Sequence, residues 1–439
     1  MAWRRVLIKS HLHPDKRSKF MSRKQHALAR HLITVALAGS AFAAHAVKYL
    51  AWEAVELPAS SGASCGNGSP YRFFVNRTPF TNKTIVVYEG GGACWDQKSC
   101  LGGSLLSASN PNGIPADYMS DITHQLSTPF TARLDPLQAV KTQSWNIVFV
   151  PYCTGDVHTG NAATVYSDAD PSKPLAYFHR GSVNSEGLAT WLKANLPRPD
   201  QLLITGYSAG GAGATSNYSV VRNALSPKKS ALMADSGPLF PAPRGGDIAK
   251  YPSLPLQNKI RGAWGLDGPN GLVTKLLAQY PAAGDVNNLG SVTTGLAKIF
   301  PQDRLGFAVF QQDGIYSDFS YSKFYPEIGA ATGDAKAQLL NVKWRQDIGN
   351  WLAAMKPQAN VGYYVPYARD IISSHCLTPL TFGGTAIKEA NLRNVGSFID
   401  NLIDGSGTPI RAYETQPIKQ EAFGGLSGLI NPLLASLGY

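Results

Sequence analysis

Long apolar runs are missing from this sequence of 439 residues. The longest stretch of that kind, Leu32 to Ala44, falls short of the roughly 20 residues a membrane-spanning helix needs, so no stable membrane anchor is expected. Charge is scarce as well, at 16% against 44% hydrophobic residues, which excludes a disordered chain. Cysteine is limited to five residues with no Cys-x-x-Cys, so no metal-site spacing is present. Internal repeats and low-complexity tracts are absent, which excludes solenoids and fibrous arrays.

The net charge of +11 suggests an anionic partner until it is located. Residues 1–46 hold nine Lys/Arg against the single acid Asp15, and the remaining 31 basic and 28 acidic residues leave only +3 elsewhere. A basic patch for nucleic acid is therefore not expected. The leader reads as an export signal: Arg23, Lys24 and Arg30 precede the apolar run, and Ala44-His45-Ala46 offers a small-x-small cleavage site. Met21 competes with Met1 as the start. The expected organisation is an N-terminal extension and signal over 1–46, then one catalytic domain over 47–439 in the periplasm or medium. Cys94 and Cys100 bracket a short loop and can pair there, and an odd count leaves one thiol over.

What is present is a series of short buried runs. Trp52–Leu57 and Tyr71–Val75 read as an edge pair of strands, and Thr84–Tyr88, Asn146–Val150, Leu202–Ile204, Ala231–Ala234, Leu305–Phe310 and Val361–Tyr367 as further strands. Helical spacing appears over 183–196, 212–225, 395–403 and around Trp344 to Leu352. A proline- and glycine-rich insert over about 238–300 reads as a cap or surface elaboration, and 424–439 as an amphipathic tail. Alternating strands and helices predict an α/β fold, an alpha/beta-hydrolase-like, mainly parallel sheet flanked by helices with loop and cap insertions.

The chemistry centres on Gly206-Tyr207-Ser208-Ala209-Gly210. An apolar strand runs into this turn and a helix leaves it, which is the setting of a nucleophile elbow. The decoy Gly62-Ala63-Ser64-Cys65-Gly66 has neither and reads as a loop. A serine hydroxyl needs an imidazole base and an orienting carboxylate. Five of the nine histidines lie in the leader. Of the others only His375 follows Ser208, as the order Ser, acid, His requires. Three acids compete: Asp313 is favoured by strand count, over Asp235, which reads as a turn cap, and Asp318. After Thr84–Tyr88 comes Glu89-Gly90-Gly91-Gly92-Ala93-Cys94, where glycines let backbone N–H groups approach a developing oxyanion. Ala93, Trp95, Tyr152, His158 and Tyr207 are the expected pocket residues. Small side chains at Ala93, Ala209 and Ala212 suit a short acyl group. His179 reads as a packing residue.

Taken together, Glu-Gly-Gly-Gly-x-Cys, Pro-Tyr-Cys-x-Gly-Asp, Gly-Tyr-Ser-Ala-Gly-Gly, Asp-Ser-Gly and a late His-Cys resemble the pectin acetylesterase family, with its Notum-like serine carboxylesterases. The resemblance runs from about residue 52 to 405. It implies a serine carboxylesterase with triad Ser208, Asp313 and His375, an oxyanion hole from Gly91, Gly92 and Ala209, and no metal or cofactor. It also implies disulfides Cys94–Cys100 and Cys65–Cys153, leaving Cys376, and an acetyl ester of a carbohydrate as substrate. Ala93 stands where the plant enzymes have tryptophan. A lipase, a polyester depolymerase or an inactive binding protein are the competing readings.

Overall fold

In the computed structural model, which describes residues 47–102, 107–133, 138–426, 428 and 430–432, the apolar runs are strands. The leader and most of the expected amphipathic tail lie outside the described residues. In chain order the strands are β1 (Trp52–Glu56), β2 (Arg72–Asn76), β3 (Thr84–Tyr88), β4 (Asn146–Val150), β5 (Ala162–Tyr166) and β6 (Leu175–His179). There follow β7 (Gln201–Tyr207), β8 (Lys229–Asp235), β9 (Arg304–Ala308), β10 (Val361–Val365), β11 (Ala368–Arg369), β12 (Arg411–Tyr413) and β13 (Lys419–Gln420).

Nine of them form one sheet in the order β1-β2-β4-β3-β7-β8-β9-β10-β12. β1 and β2 are antiparallel to each other, and β2 is antiparallel to β4. From β4 to β12 every pairing is parallel. The central strands are apolar without alternation because both faces are covered: every residue of β3 and β4 is buried. Helices Gly181–Asn195 and Ala209–Leu225 pack on each other, and Val395–Asp404 packs on β8, β9 and β10. Helix Gly333–Met355 buries Leu340, Trp344, Asp347, Ile348, Trp351 and Met355, spacings that keep one face inward. The Trp344 indole N–H donates to the Phe310 carbonyl at 3.0 Å.

Two regions differ from expectation. β5 and β6 pair as an antiparallel hairpin outside the main sheet; its outward Val165 is 66% exposed, so no continuous apolar run marks it. The 238–300 insert contains helices Leu254–Ala263, Leu272–Gln279 and Ser291–Ile299. Their Ile260, Leu272, Val273, Leu276, Val292 and Leu296 join the main core. It is an integral wall rather than a surface elaboration. The decoy Gly62–Gly66 is a loop, as read.

Disulfides join Cys65 to Cys153 and Cys94 to Cys100, and Cys376 is a buried free thiol. No helix among the described residues is long and apolar enough to cross a membrane.

Candidate active site

Ser208 follows the last residue of β7 and caps the helix Ala209–Leu225 with φ 57° and ψ −125°, a conformation L-residues seldom adopt. Its N–H donates to the Asp235 carbonyl at 2.9 Å and its carbonyl accepts from Gly211 N–H at 2.9 Å. The turn packs so tightly on the end of β3 that a Cβ at Gly210 would lie 2.1 Å from the Tyr88 carbonyl oxygen. Only glycine fits there.

Asp313 follows β9 and caps the helix Gly314–Tyr321. Its Oδ1 accepts from the N–H groups of Ile315 (3.1 Å) and Tyr316 (2.8 Å). Its Oδ2 stands 2.7 Å from His375 Nδ1. That contact sets the imidazole tautomer, with Nδ1–H donating and Nε2 left as the basic nitrogen. His375 Nε2 is buried and has no hydrogen-bond partner among the described residues. Asp318 is not near the histidine: it pairs with Lys336 at 2.7 Å and accepts from the Ser322 hydroxyl.

The backbone presenting His375 is strained. Ile372, Ser373, Ser374 and Cys376 have φ of 50°, 49°, 56° and 61°, where a β-branched residue such as Ile372 is an outlier. Asp235 holds this loop in place. Its carboxylate accepts from Leu377 N–H (2.8 and 2.9 Å), Thr378 N–H (2.8 Å), the Thr378 hydroxyl (2.7 Å) and the Ser236 hydroxyl (2.9 Å). The turn-cap reading is therefore corrected: Asp235 ties β8 to the segment just after the histidine, because its two oxygens are the acceptors for that segment's N–H groups.

Ser208, Ala209, Gly92 and His375 line one cavity of about 80 Å³, with Ala93, Trp95, Val157, Leu239, Phe240, Leu256, Ile260, Trp264, Leu289 and Phe319 among its walls. Ala93 and Trp95, two of the expected pocket residues, are thus on its wall. Tyr152, His158 and Tyr207 do not line it. The Tyr152 hydroxyl accepts from Val157 N–H at 2.8 Å beneath the loop. Burial lowers the His158 pKa to about 4, so the ring is neutral and its Nε2–H donates to the Glu89 carbonyl at 2.9 Å. Tyr207 packs under the glycine turn, against Gly90. Gly91 also sits off the wall, between Ser109 and Tyr152, whereas Gly92 faces the cavity. Being the first residue of its helix, Ala209 has an N–H with no partner inside that helix.

Sequence reading missed the residues that brace the glycine turn. Glu89 Oε1 accepts from the Tyr118 hydroxyl at 2.8 Å and Oε2 from Tyr152 N–H at 2.9 Å. Asp156 gathers the Thr154 hydroxyl and the N–H groups of His158, Gly160 and Gly181 at 2.6–3.1 Å. A lone acid between a buried strand and a glycine run is the signal that marks Glu89. Burial pushes its carboxyl up to about 7. The folded protein therefore keeps a proton that the unfolded chain, with an ordinary carboxyl near 4.5, gives up as pH rises, and stability falls across that window. The stability of Glu89→Gln relative to wild type should rise between pH 5 and pH 8 in urea titrations. A pH-independent difference would refute this.

Cys94, Cys100 and His179 bring ligand-type atoms within 4.8 Å of one another. The sulfurs are bonded to each other, and both His179 nitrogens are engaged, by Thr154 at 3.0 Å and Tyr166 at 2.8 Å. No metal fits that arrangement.

Residues 44–244 match the family model described as Pectinacetylesterase. Over this stretch the chain is similar to the pectin acetylesterases. It is 25% identical over 161 residues to the palmitoleoyl-protein carboxylesterase notum2 of Xenopus laevis, covering 35% of this chain and 29% of that protein. Pectin acetylesterase 4 of Arabidopsis thaliana is 27% identical over 155 residues, 34% of each chain. These matches span about a third of the length of those curated relatives. The solved structure of the Wnt deacylase Notum from Drosophila superposes with a TM-score of 0.52 at 16% identity, over 85% of this chain and 98% of that one. The fold is thus alpha/beta-hydrolase-like over nearly the whole described chain. The family segment includes Ser208 and Asp235 but ends before Asp313 and His375.

Proposed function

We propose that this protein is an exported serine carboxylesterase. The observation that carries the reading is the Asp313–His375 contact of 2.7 Å, with the other imidazole nitrogen unpartnered in the cavity that Ser208 also lines. Ser208 Oγ attacks the ester carbonyl as His375 Nε2 takes its proton. Asp313 stabilises the imidazolium, and the amides of Gly92 and Ala209 hold the oxyanion. His375 then protonates the departing alcohol, and water, deprotonated by the same base, releases the acid. The leader and the two disulfides support export to the periplasm or medium. An acetylated polysaccharide is the substrate that the pectin acetylesterase relatives suggest, while the palmitoleoyl-protein carboxylesterase relatives suggest a longer acyl chain.

The cavity favours the longer chain. Leu239, Leu256, Ile260, Trp264 and Leu289 line it together with Ala93 and Ala209, more apolar wall than one acetyl methyl can cover. Each buried methylene contributes roughly 0.8 kcal/mol. With p-nitrophenyl esters from acetate to octanoate, kcat/KM should rise beyond acetate before it falls. A steady decline from acetate would refute the acyl-chain assignment, and no turnover of any ester would refute the esterase.

A further inference from the structure

Two polar atoms on the cavity wall, Ser253 Oγ and Gln257 Oε1, have no hydrogen-bond partner among the described residues and no part in the proposed acyl transfer. Ser253 is the N-cap of helix Leu254–Ala263 and Gln257 stands four residues on, so both share one helix face, and both line the cavity. They are buried, 3% and 6% exposed. The Gln257 amide is fixed in orientation, because the group that donates to the Phe240 carbonyl at 2.8 Å must be the nitrogen Nε2. Its oxygen, Oε1, has no hydrogen-bond partner, and neither has Ser253 Oγ, among the described residues. A weak interaction of the Ser253 hydroxyl and N–H with the Asp347 carboxyl opposes the burial that pushes that carboxyl up to about 7, and it leaves the lone pairs of Oγ free to accept.

Neighbouring polar atoms of the wall are engaged. Trp264 Nε1–H donates to the Cys94 carbonyl at 2.8 Å, and the Ser320 hydroxyl to the Tyr316 carbonyl at 2.7 Å. A buried acceptor left alone in an apolar wall is costly and uncommon, and a partner explains it. An acceptor beside a hydroxyl is complementary to another hydroxyl, which donates once and accepts once.

We infer that the acyl group this cavity takes is apolar but carries a hydroxyl, which donates to Gln257 Oε1 beside Ser253 Oγ. This rests on the esterase reading above and specifies its acyl side. Hydroxyalkanoyl and phenolic acyl groups share that chemistry, and matched pairs of esters separate them.

The experiment compares methyl 3-hydroxyoctanoate with methyl octanoate, and methyl 4-hydroxycinnamate with methyl cinnamate, on the wild-type protein and on Gln257→Leu. At least one hydroxylated ester should be preferred in kcat/KM by about tenfold or more, since a site built to hydrogen-bond a hydroxyl rejects the analogue lacking it. Gln257→Leu should bring that ratio to about one. Turnover of the plain esters with no preference for either hydroxylated partner overturns the inference and leaves the esterase standing. A preference that survives in folded Gln257→Leu overturns it too. Should the variant not fold, or no ester turn over, calorimetric titration of wild type with 4-hydroxycinnamate against cinnamate, and 3-hydroxyoctanoate against octanoate, decides. Tighter binding of a hydroxy acid supports the inference, and equal binding in both pairs overturns it.

Discussion

Ser208→Ala and His375→Ala are each expected to lower ester turnover by on the order of 10⁴-fold or more, with thermal melting close to wild type. Among the described residues the serine side chain makes no hydrogen bond that caps the elbow helix. What fixes that turn is backbone, through the Ser208 amide on Asp235 and the Gly211 amide on Ser208. Asp313→Asn should be nearly as damaging, because an amide nitrogen facing Nδ1 favours the wrong imidazole tautomer. Its remaining oxygen can still accept from Ile315 and Tyr316, so the helix cap survives. Asp318→Asn should stay near the parent rate, since that carboxylate is committed to Lys336. The check is p-nitrophenyl butyrate kinetics beside melting curves. An active Asp313→Asn would remove the carboxylate from the proposed triad.

A different failure is expected for Asp235→Asn. Its carboxylate is fully buried and accepts every bond offered by Leu377, Thr378 and Ser236. An asparagine turns an NH₂ towards at least one of those donors and leaves a buried N–H unsatisfied. Each such loss costs about 1–3 kcal/mol, so a second one in the same network brings the total to roughly 2–6 kcal/mol. Activity should fall as well, because His375 sits two residues before Leu377 on a strained turn that this carboxylate restrains. The two aspartates are thus distinguished by stability: urea midpoints should drop sharply for Asp235→Asn and stay put for Asp313→Asn. A well-folded, inert Asp235→Asn would assign that residue the orienting role instead.

Much of this arrangement was legible from residue order. The strands that carry Ser208, Asp235, Asp313 and His375 are short runs of apolar residues ending in a polar turn, and a sheet covered on both faces demands that pattern. The elbow was legible because its glycines answer a steric need within a few residues. The partner of His375 was narrowed by strand counting, since 62 residues separate it from Asp313 and no local pattern links them. The bond network of Asp235 was not legible for the same reason: its partners lie 142 and 143 residues away. Nor were the cavity walls. Helix Leu254–Ala263 begins Leu-Pro and lies among prolines and glycines, so its inward residues Leu254, Gln257 and Ile260 are diluted in a composition typical of loops. Tyr152 and His158 were misplaced because a motif fixes which loop a residue belongs to, not which way its side chain turns.

The two outer strands of the sheet bear on how the protein behaves when concentrated. An exposed strand offers unpaired N–H and C=O groups to any other chain and is a common seed of aggregation. Here β12 is only three residues long and carries Arg411. β1 presents Glu53 and Glu56, paired with Arg77 and Arg72, so a second strand docking along it would have to accommodate two ion pairs. Neither border gives the long, flat, apolar ladder on which chains add edge to edge. If the leader exports the chain as proposed, beyond the reach of cytosolic chaperones, its protection against that route is written into its own margins.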